Sequence, residues 1–138
     1  RLMLETFVRE KGLSDRVRFL GRVPHRDIVP LYHRAHVYVL PSLSEGMSNN
    51  VLEAIASGLP IITTDTGGTR ELVEEGRNGC VIRMNDPEHI VEKIVFLAEH
   101  PEQAQLYGME SRRRALELGW VEVAKSYRKA YQDITQSS

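Results

Sequence analysis

The chain has 138 residues, of which 41% are hydrophobic and 27% charged, the balance of a globular domain with a buried core. A formal net charge of −1 gives no general attraction to nucleic acid or to an anionic membrane, so any affinity for phosphate must be local. The single cysteine, Cys80, excludes an internal disulfide and a cysteine-based metal site.

Segments with strand-like and helix-like patterns alternate along the chain, and this alternation predicts an α/β fold with a parallel sheet. The predicted strands are 16–21, 37–40, 60–64 and 79–83. The predicted helices are an opening helix ending near Gly12, then 26–35, a helix after 48 that Gly58 ends, 70–75, 87–99 with Asp86 as its cap, 101–118, and a final helix. The apolar face of that final helix consists of Trp120, Ala124, Tyr127, Tyr131 and Ile134. No apolar run is long enough to span a bilayer, and we expect a cytoplasmic location.

The run from Ser44 to Ala54 is the most informative part of the sequence. Two carboxylates, Glu45 and Glu53, lie eight positions apart, and the second falls on a predicted helix with an apolar set at Leu52, Ile55 and Ala56. An ionised glutamate in such a helix costs stability unless another group binds it. This cost marks Glu53 as a candidate binding residue.

The start of this helix is a candidate anion site. Ser48 or Asn49 can cap the helix, and Gly46 allows a ligand to approach the backbone closely. The N–H groups at a helix start, with the helix dipole behind them, suit an anion such as a diphosphate. A purely structural alternative stays open, in which the helix is simply capped and Glu53 is tied to a neighbouring strand.

These residues resemble the donor-binding core of retaining glycosyltransferases with the GT-B fold, most closely the group 1 family (family four). The resemblance rests on residues 40–49, on Leu52-Glu53-Ala54 and on residues 58–68, with the Glu-x7-Glu spacing of that family. It extends from about residue 13 to residue 131. It implies a doubly wound, Rossmann-like parallel sheet that forms the C-terminal half of a GT-B fold and ends in C-terminal helices. Residues 1–138 would then be a single, partial nucleotide-sugar-binding domain.

The resemblance also implies roles for individual residues. Glu53 is expected to accept hydrogen bonds from both ribose hydroxyls of the donor nucleotide, and Glu45 to act as the catalytic residue that faces the donor sugar. Arg22 is expected to contact the base or the phosphate, although a solvated arginine fits the sequence equally well. The remaining donor-binding residues implied by the resemblance are Gly46, Met47, Ser48, Asn49 and Asn50.

The chain opens on a helix, whereas a doubly wound domain normally opens on a strand. In the family that this chain resembles, the second domain begins a few dozen residues earlier, with a loop whose Arg and Lys hold the diphosphate. The acceptor-binding N-terminal domain of that family is missing as well. We therefore expect an N-terminally truncated part of a larger enzyme, inactive by itself.

The predicted function is to bind the donor for a retaining transfer of a hexose from a nucleotide-sugar to a sugar, lipid-linked or small-molecule acceptor, in glycan biosynthesis. The resemblance implies no essential metal and no cofactor, with the nucleotide-sugar as substrate and the missing acceptor domain as partner. No nucleic-acid partner is expected. The basic run Arg112-Arg113-Arg114 is either a solvated helix face or a peripheral membrane contact of the full enzyme.

Two other functions stay open at this point. One is a non-catalytic nucleotide-binding fragment or regulator, which the missing phosphate-binding residues favour for this polypeptide alone. The other is a sugar-nucleotide epimerase domain, because such enzymes share the two-domain architecture. The register of the two glutamates with the Gly-Leu-Pro strand favours the transferase.

Overall fold

The structure is a computed structural model that describes residues 1–43 and 48–119. The predicted final helix therefore lies outside the described residues. The helices are α1 (Leu2–Glu10), α2 (His25–Tyr32), α3 (Asn49–Ala56), α4 (Thr69–Leu72), α5 (Pro87–Glu99) and α6 (Pro101–Glu117). The strands are β1 (Tyr38–Leu40), β2 (Ile61–Thr64) and β3 (Gly79–Ile82).

Within the described ranges the three strands form one parallel sheet in the order β1-β2-β3. Tyr38 pairs with Ile61, and Ile61 pairs in turn with Gly79. The central strand β2 is buried along its whole length, which explains its run of β-branched residues. The predicted α/β fold with a parallel sheet is confirmed.

Both faces of the sheet are covered, so the domain has three layers. Because side chains alternate along a strand, Ile61 packs on one face and the adjacent Ile62 on the other. The first face holds the core residues of α3 and α4, and the second holds Cys80, Ile82 and residues of α5 and α6. Burial raises the pKa of the Cys80 thiol to about 11, so this cysteine is a core residue and not a nucleophile.

The start of α5 follows the prediction. The Asp86 carboxylate accepts the backbone N–H of His89 at 2.9 Å and the Nε–H of Arg83 at 2.7 Å. These two contacts, the backbone bond first, lower the pKa of Asp86. Pro87 occupies the first turn, where its missing N–H costs nothing.

The predicted strand at residues 16–21 was wrong. The N–H groups of Arg16 and Val17 both donate to the carbonyl of Leu13, so the segment begins as a turn and pairs with no strand among the described residues. A strand is stable only when a neighbouring strand accepts its hydrogen bonds. Alternation of apolar residues alone was therefore not sufficient evidence for a strand.

Three helices differ in detail from the prediction, and the first of them, α2, ends at Tyr32 rather than at residue 35. Helix α4 ends at Leu72 rather than at residue 75, because the buried Asn78 side chain donates to the Leu72 carbonyl at 3.0 Å and accepts the Glu74 N–H at 2.8 Å. Helix α3 buries Val51, Ala54 and Ile55. The predicted apolar set of α3 was only partly right, because Ala56 is exposed.

Candidate functional site

The carboxyl ends of parallel strands meet at one edge of a sheet, where doubly wound folds bind their ligands. At this edge, two threonines of β2, each 2% exposed, form hydrogen bonds to the end of β1 and to the loop that follows it. The Thr63 hydroxyl donates to the carbonyl of Leu40 at 3.0 Å, and the Thr64 hydroxyl donates to the carbonyl of Ser42. The beginning of the loop after β1 is therefore fixed against β2.

The loop after β2 contains Gly67 and Gly68 and leads into α4. The Thr69 hydroxyl donates to the Thr64 carbonyl at 3.0 Å and lies 2.9 Å from the Thr66 hydroxyl. In the same loop the Asp65 carboxylate accepts two hydrogen bonds from Arg70, at 2.6 and 2.9 Å. The bonds from Arg70 lower the pKa of Asp65, which keeps this exposed carboxylate ionised.

Glu53 lies on the second turn of α3, and its side chain is 27% exposed. The Tyr32 hydroxyl donates to its Oε2 atom at 3.4 Å, and the Nδ1 atom of His25 lies 3.5 Å from its Oε1 atom. Both partners lie on α2. The structural alternative placed the anchor of Glu53 on a strand; the structure places it on a helix and leaves the carboxylate partly open to a ligand.

The structure places the other predicted donor-binding residues as follows. Ser48 is half-buried at the start of α3, and Asn49 and Asn50 are exposed in its first turn. Arg22 is exposed in the loop that leads into α2. The remaining three residues, Glu45, Gly46 and Met47, lie outside the described residues.

The predicted side-chain cap of α3 was wrong. Ser48 occupies the N-cap position with an extended backbone, but its side chain makes no capping hydrogen bond. Capping residues normally satisfy one of the first N–H groups of a helix. The Ser48 hydroxyl is thus not committed to the helix that follows it.

A cavity lies elsewhere in the molecule, away from this edge of the sheet. It has a volume of about 780 Å³ and is lined by apolar residues that precede β1 and β2, such as Val37 and Leu59, and by residues of α5 and α6 such as Leu97. These positions are at the amino ends of the strands. Because doubly wound sheets bind ligands at the carboxyl ends, this cavity is not the candidate site.

The basic run on α6 is engaged in contacts within the protein. Arg112 donates to the Ala56 carbonyl, Arg113 pairs with Glu110 at 2.9 Å, and Arg114 donates to the Glu71 carbonyl at 2.7 Å. These contacts are typical of charged residues at the edge of a helix that packs against the rest of its own domain. The membrane contact stays a prediction. Across residues 1–43 and 48–119, no helix is long and apolar enough to cross a membrane.

Among residues 1–43 and 48–119, the side chains of His, Cys, Asp and Glu form no group of three that could hold a metal ion. The two residues that contact Glu53, Tyr32 and His25, were not predicted as site residues from the sequence. The one available signal was their spacing of seven residues, which puts both side chains on one face of a helix. Their partner, 21 positions after Tyr32, could not be found from that spacing.

The fold and the edge described above define the chain as a doubly wound α/β domain. The family model described as Glycosyl transferases group 1 matches residues 3–100, and the chain belongs to this family. The chain is 38% identical over 102 residues to a lipopolysaccharide core biosynthesis mannosyltransferase of Rhizobium leguminosarum bv. viciae, covering 74% of this chain and 28% of the relative.

Several solved structures share the fold. The sucrose-phosphate synthase of Thermosynechococcus elongatus matches with a TM-score of 0.82 and 29% identity, covering 98% of this chain and 34% of the synthase. HepE of Anabaena, solved in complex with UDP, matches with a TM-score of 0.79 and 23% identity, covering 97% of this chain and 36% of HepE. The predicted family and fold class are confirmed. The chain spans about a third of the length of the curated relatives it matches, between 28% and 37%.

Proposed function

We propose that this chain is the donor-binding domain of a retaining glycosyltransferase that transfers a hexose from a nucleotide-sugar. The observation that supports this most directly is the Glu53 carboxylate, which α2 holds from one side while 27% of the side chain stays exposed. A carboxylate has about four acceptor positions on two oxygens, which suits the two neighbouring hydroxyls of a ribose. HepE, which shares this fold, was solved with UDP.

The other parts of the donor are assigned by the same proposal. The start of α3, with Asn49 and Asn50 in its first turn, would receive the diphosphate, because N–H groups and the helix dipole favour an anion there. Arg22, in the exposed loop before α2, would contact the base or the phosphate. Glu45 would face the sugar, with Gly46, Met47 and Ser48 lining it.

The chain would act as part of a longer enzyme that also carries an acceptor domain, since its relatives are about three times as long. Positioning of the donor and electrostatic stabilisation would then account for the chemistry, with the acceptor supplied from the other domain. The acceptor is proposed to be a sugar, a lipid-linked molecule or a small molecule.

The isolated chain of 138 residues is expected to transfer no sugar to any acceptor. The reason is that a transfer needs an acceptor held in line with the donor, and this domain offers only the donor side. Incubation with UDP-glucose, UDP-N-acetylglucosamine or GDP-mannose and a panel of acceptors, followed by mass spectrometry, checks this. Transfer above the rate of a heat-denatured sample would contradict the proposed division into two domains.

Replacing Glu53 by alanine in the full-length enzyme is expected to weaken nucleotide binding by about 1–3 kcal/mol, the scale for losing hydrogen bonds to a charged group. The free nucleoside diphosphate and the sugar-nucleotide should lose affinity equally, because both carry the ribose. Isothermal titration with UDP, GDP and ADP measures the effect.

A matched control is Glu99→Ala, which removes an exposed glutamate from α5 and should leave the affinity unchanged. A ligand without ribose hydroxyls should also bind both the native protein and Glu53→Ala with the same weak affinity. Unchanged binding of the complete nucleotide by Glu53→Ala would rule out the ribose role.

A further inference from the structure

We propose that Tyr32 is a positioning residue for the nucleotide site, whose hydroxyl holds the Glu53 carboxylate in the orientation that receives the ribose. This inference rests on the proposed function, because it assigns Glu53 to the ribose. Tyr32 touches no ligand in this proposal. It acts only through the glutamate.

The geometry places Tyr32 at the junction of three elements. Its hydroxyl lies 3.4 Å from Oε2 of Glu53 and 3.5 Å from the carbonyl oxygen of Asn50, both on α3. Its ring packs edge-on against the ring of Tyr38 on β1, with the centroids 5.8 Å apart. The phenol is therefore held by the core on one side and directed at the candidate site on the other.

The hydroxyl of Tyr32 keeps its proton at any ordinary pH. Burial, followed by electrostatic interactions with Tyr38 and with the Glu53 carboxylate, raises the pKa of Tyr32 to about 12. A protonated phenol beside a carboxylate is a hydrogen-bond donor. The single O–H of Tyr32 has the Glu53 carboxylate and the Asn50 carbonyl as acceptors, and the charged, slightly closer carboxylate is the stronger of the two.

A second contact comes from the other end of α2. The Nδ1 atom of His25 lies 3.5 Å from Oε1 of Glu53, but its side chain is 80% exposed. A contact from a side chain this exposed to solvent contributes little. Tyr32, packed against Tyr38, is therefore the group that fixes the carboxylate.

Fixing the carboxylate has a thermodynamic consequence. A free glutamate side chain loses rotamer entropy when a ligand immobilises it, and a side chain already held in place avoids most of that loss. The Tyr32 hydroxyl occupies one acceptor position of Oε2 and leaves the others for two ribose hydroxyls. The benefit of Tyr32 should therefore appear only with ligands that carry these hydroxyls.

The test compares Tyr32→Phe with the native full-length enzyme, by titrating UDP, GDP and ADP and then the 2′,3′-dideoxy form of the tightest binder. Tyr32→Phe is expected to weaken binding of the complete nucleotide about three- to tenfold and to leave the dideoxy form within about twofold. In the Glu53→Ala background, Tyr32→Phe should have no further effect. The control is Tyr107→Phe, which removes the hydroxyl of a buried tyrosine from the opposite face of the sheet.

The outcomes distinguish a failure of the proposed function from a failure of the role assigned to Tyr32. A native enzyme that binds none of the three diphosphates overturns the proposed function and this inference together. Native binding that Tyr32→Phe does not change overturns the inference alone. Equal losses for the complete and the dideoxy nucleotide would show that Tyr32 only supports the fold, and would also overturn it.

Discussion

Replacing Gly79 by alanine is expected to destabilise the fold by about 3 kcal/mol, the upper end for overpacking a core. A Cβ atom at this position would lie 2.1 Å from the carbonyl oxygen of Ile61 and 3.0 Å from a methyl group of Val73. The first of these atoms belongs to the backbone of the central strand, so no side-chain rotation relieves the clash. Strand β3 would have to move away from β2, and urea denaturation measures the cost.

The matched control is Gly76→Ala, in the turn just before β3. Gly76 has a φ of +77°, and a Cβ atom there would have no heavy atom within 4 Å. Alanine at this position suffers only the cost of left-handed backbone, about 1–2 kcal/mol. A loss for Gly79→Ala that is no larger than for Gly76→Ala would show that β3 can shift without breaking its pairing.

The strands of the sheet were predictable because their local sequence and their burial agree. The run Ile61–Thr64 is β-branched throughout, follows Gly58 and Pro60, and is buried on both faces. The start of α5 was predictable for a similar reason, since Asp86 and Pro87 act within one turn of the chain. Patterns that are completed by neighbouring residues can be interpreted from the sequence alone.

The errors arose where contacts outside the segment itself decide the structure. Residues 16–21 alternate like a strand, but no strand among the described residues pairs with them. Helix α4 ends early because the side chain of Asn78, six positions after Leu72, donates a hydrogen bond to the Leu72 carbonyl. No spacing rule predicts a contact of this kind.

The candidate site likewise has features that could be predicted from the sequence and features that could not. The spacing of Glu45 and Glu53 and the helix start at Ser48 were visible in the sequence, and α3 does begin there. The contacts of Glu53 with Tyr32 and His25 were not visible, since they join helices that are separated by β1. In our proposal, the contact with Tyr32 is the one that positions the carboxylate.

Replacing Glu45 by glutamine in the full-length enzyme is expected to lower kcat about a hundredfold, while the affinity for the nucleoside diphosphate stays within about twofold. The proposal assigns Glu45 to the donor sugar, where positive charge grows at the anomeric carbon during transfer. A carboxylate stabilises that charge only as it develops, so its loss affects the transition state more than the bound donor. Paired titrations and steady-state rates on the same preparations measure both quantities.

Glu53→Gln is the matched comparison, because it makes the same chemical change eight residues away. If the assignments are right, the two variants show opposite patterns. Glu53→Gln should lose affinity for the nucleotide, since a neutral amide is a weaker acceptor for the ribose hydroxyls than the carboxylate held by α2. Glu45→Gln should keep that affinity and lose turnover. Equal losses of binding and turnover in Glu45→Gln, or full activity, would mean that Glu45 anchors its loop or does nothing essential, and that the charge at the sugar is stabilised by another residue.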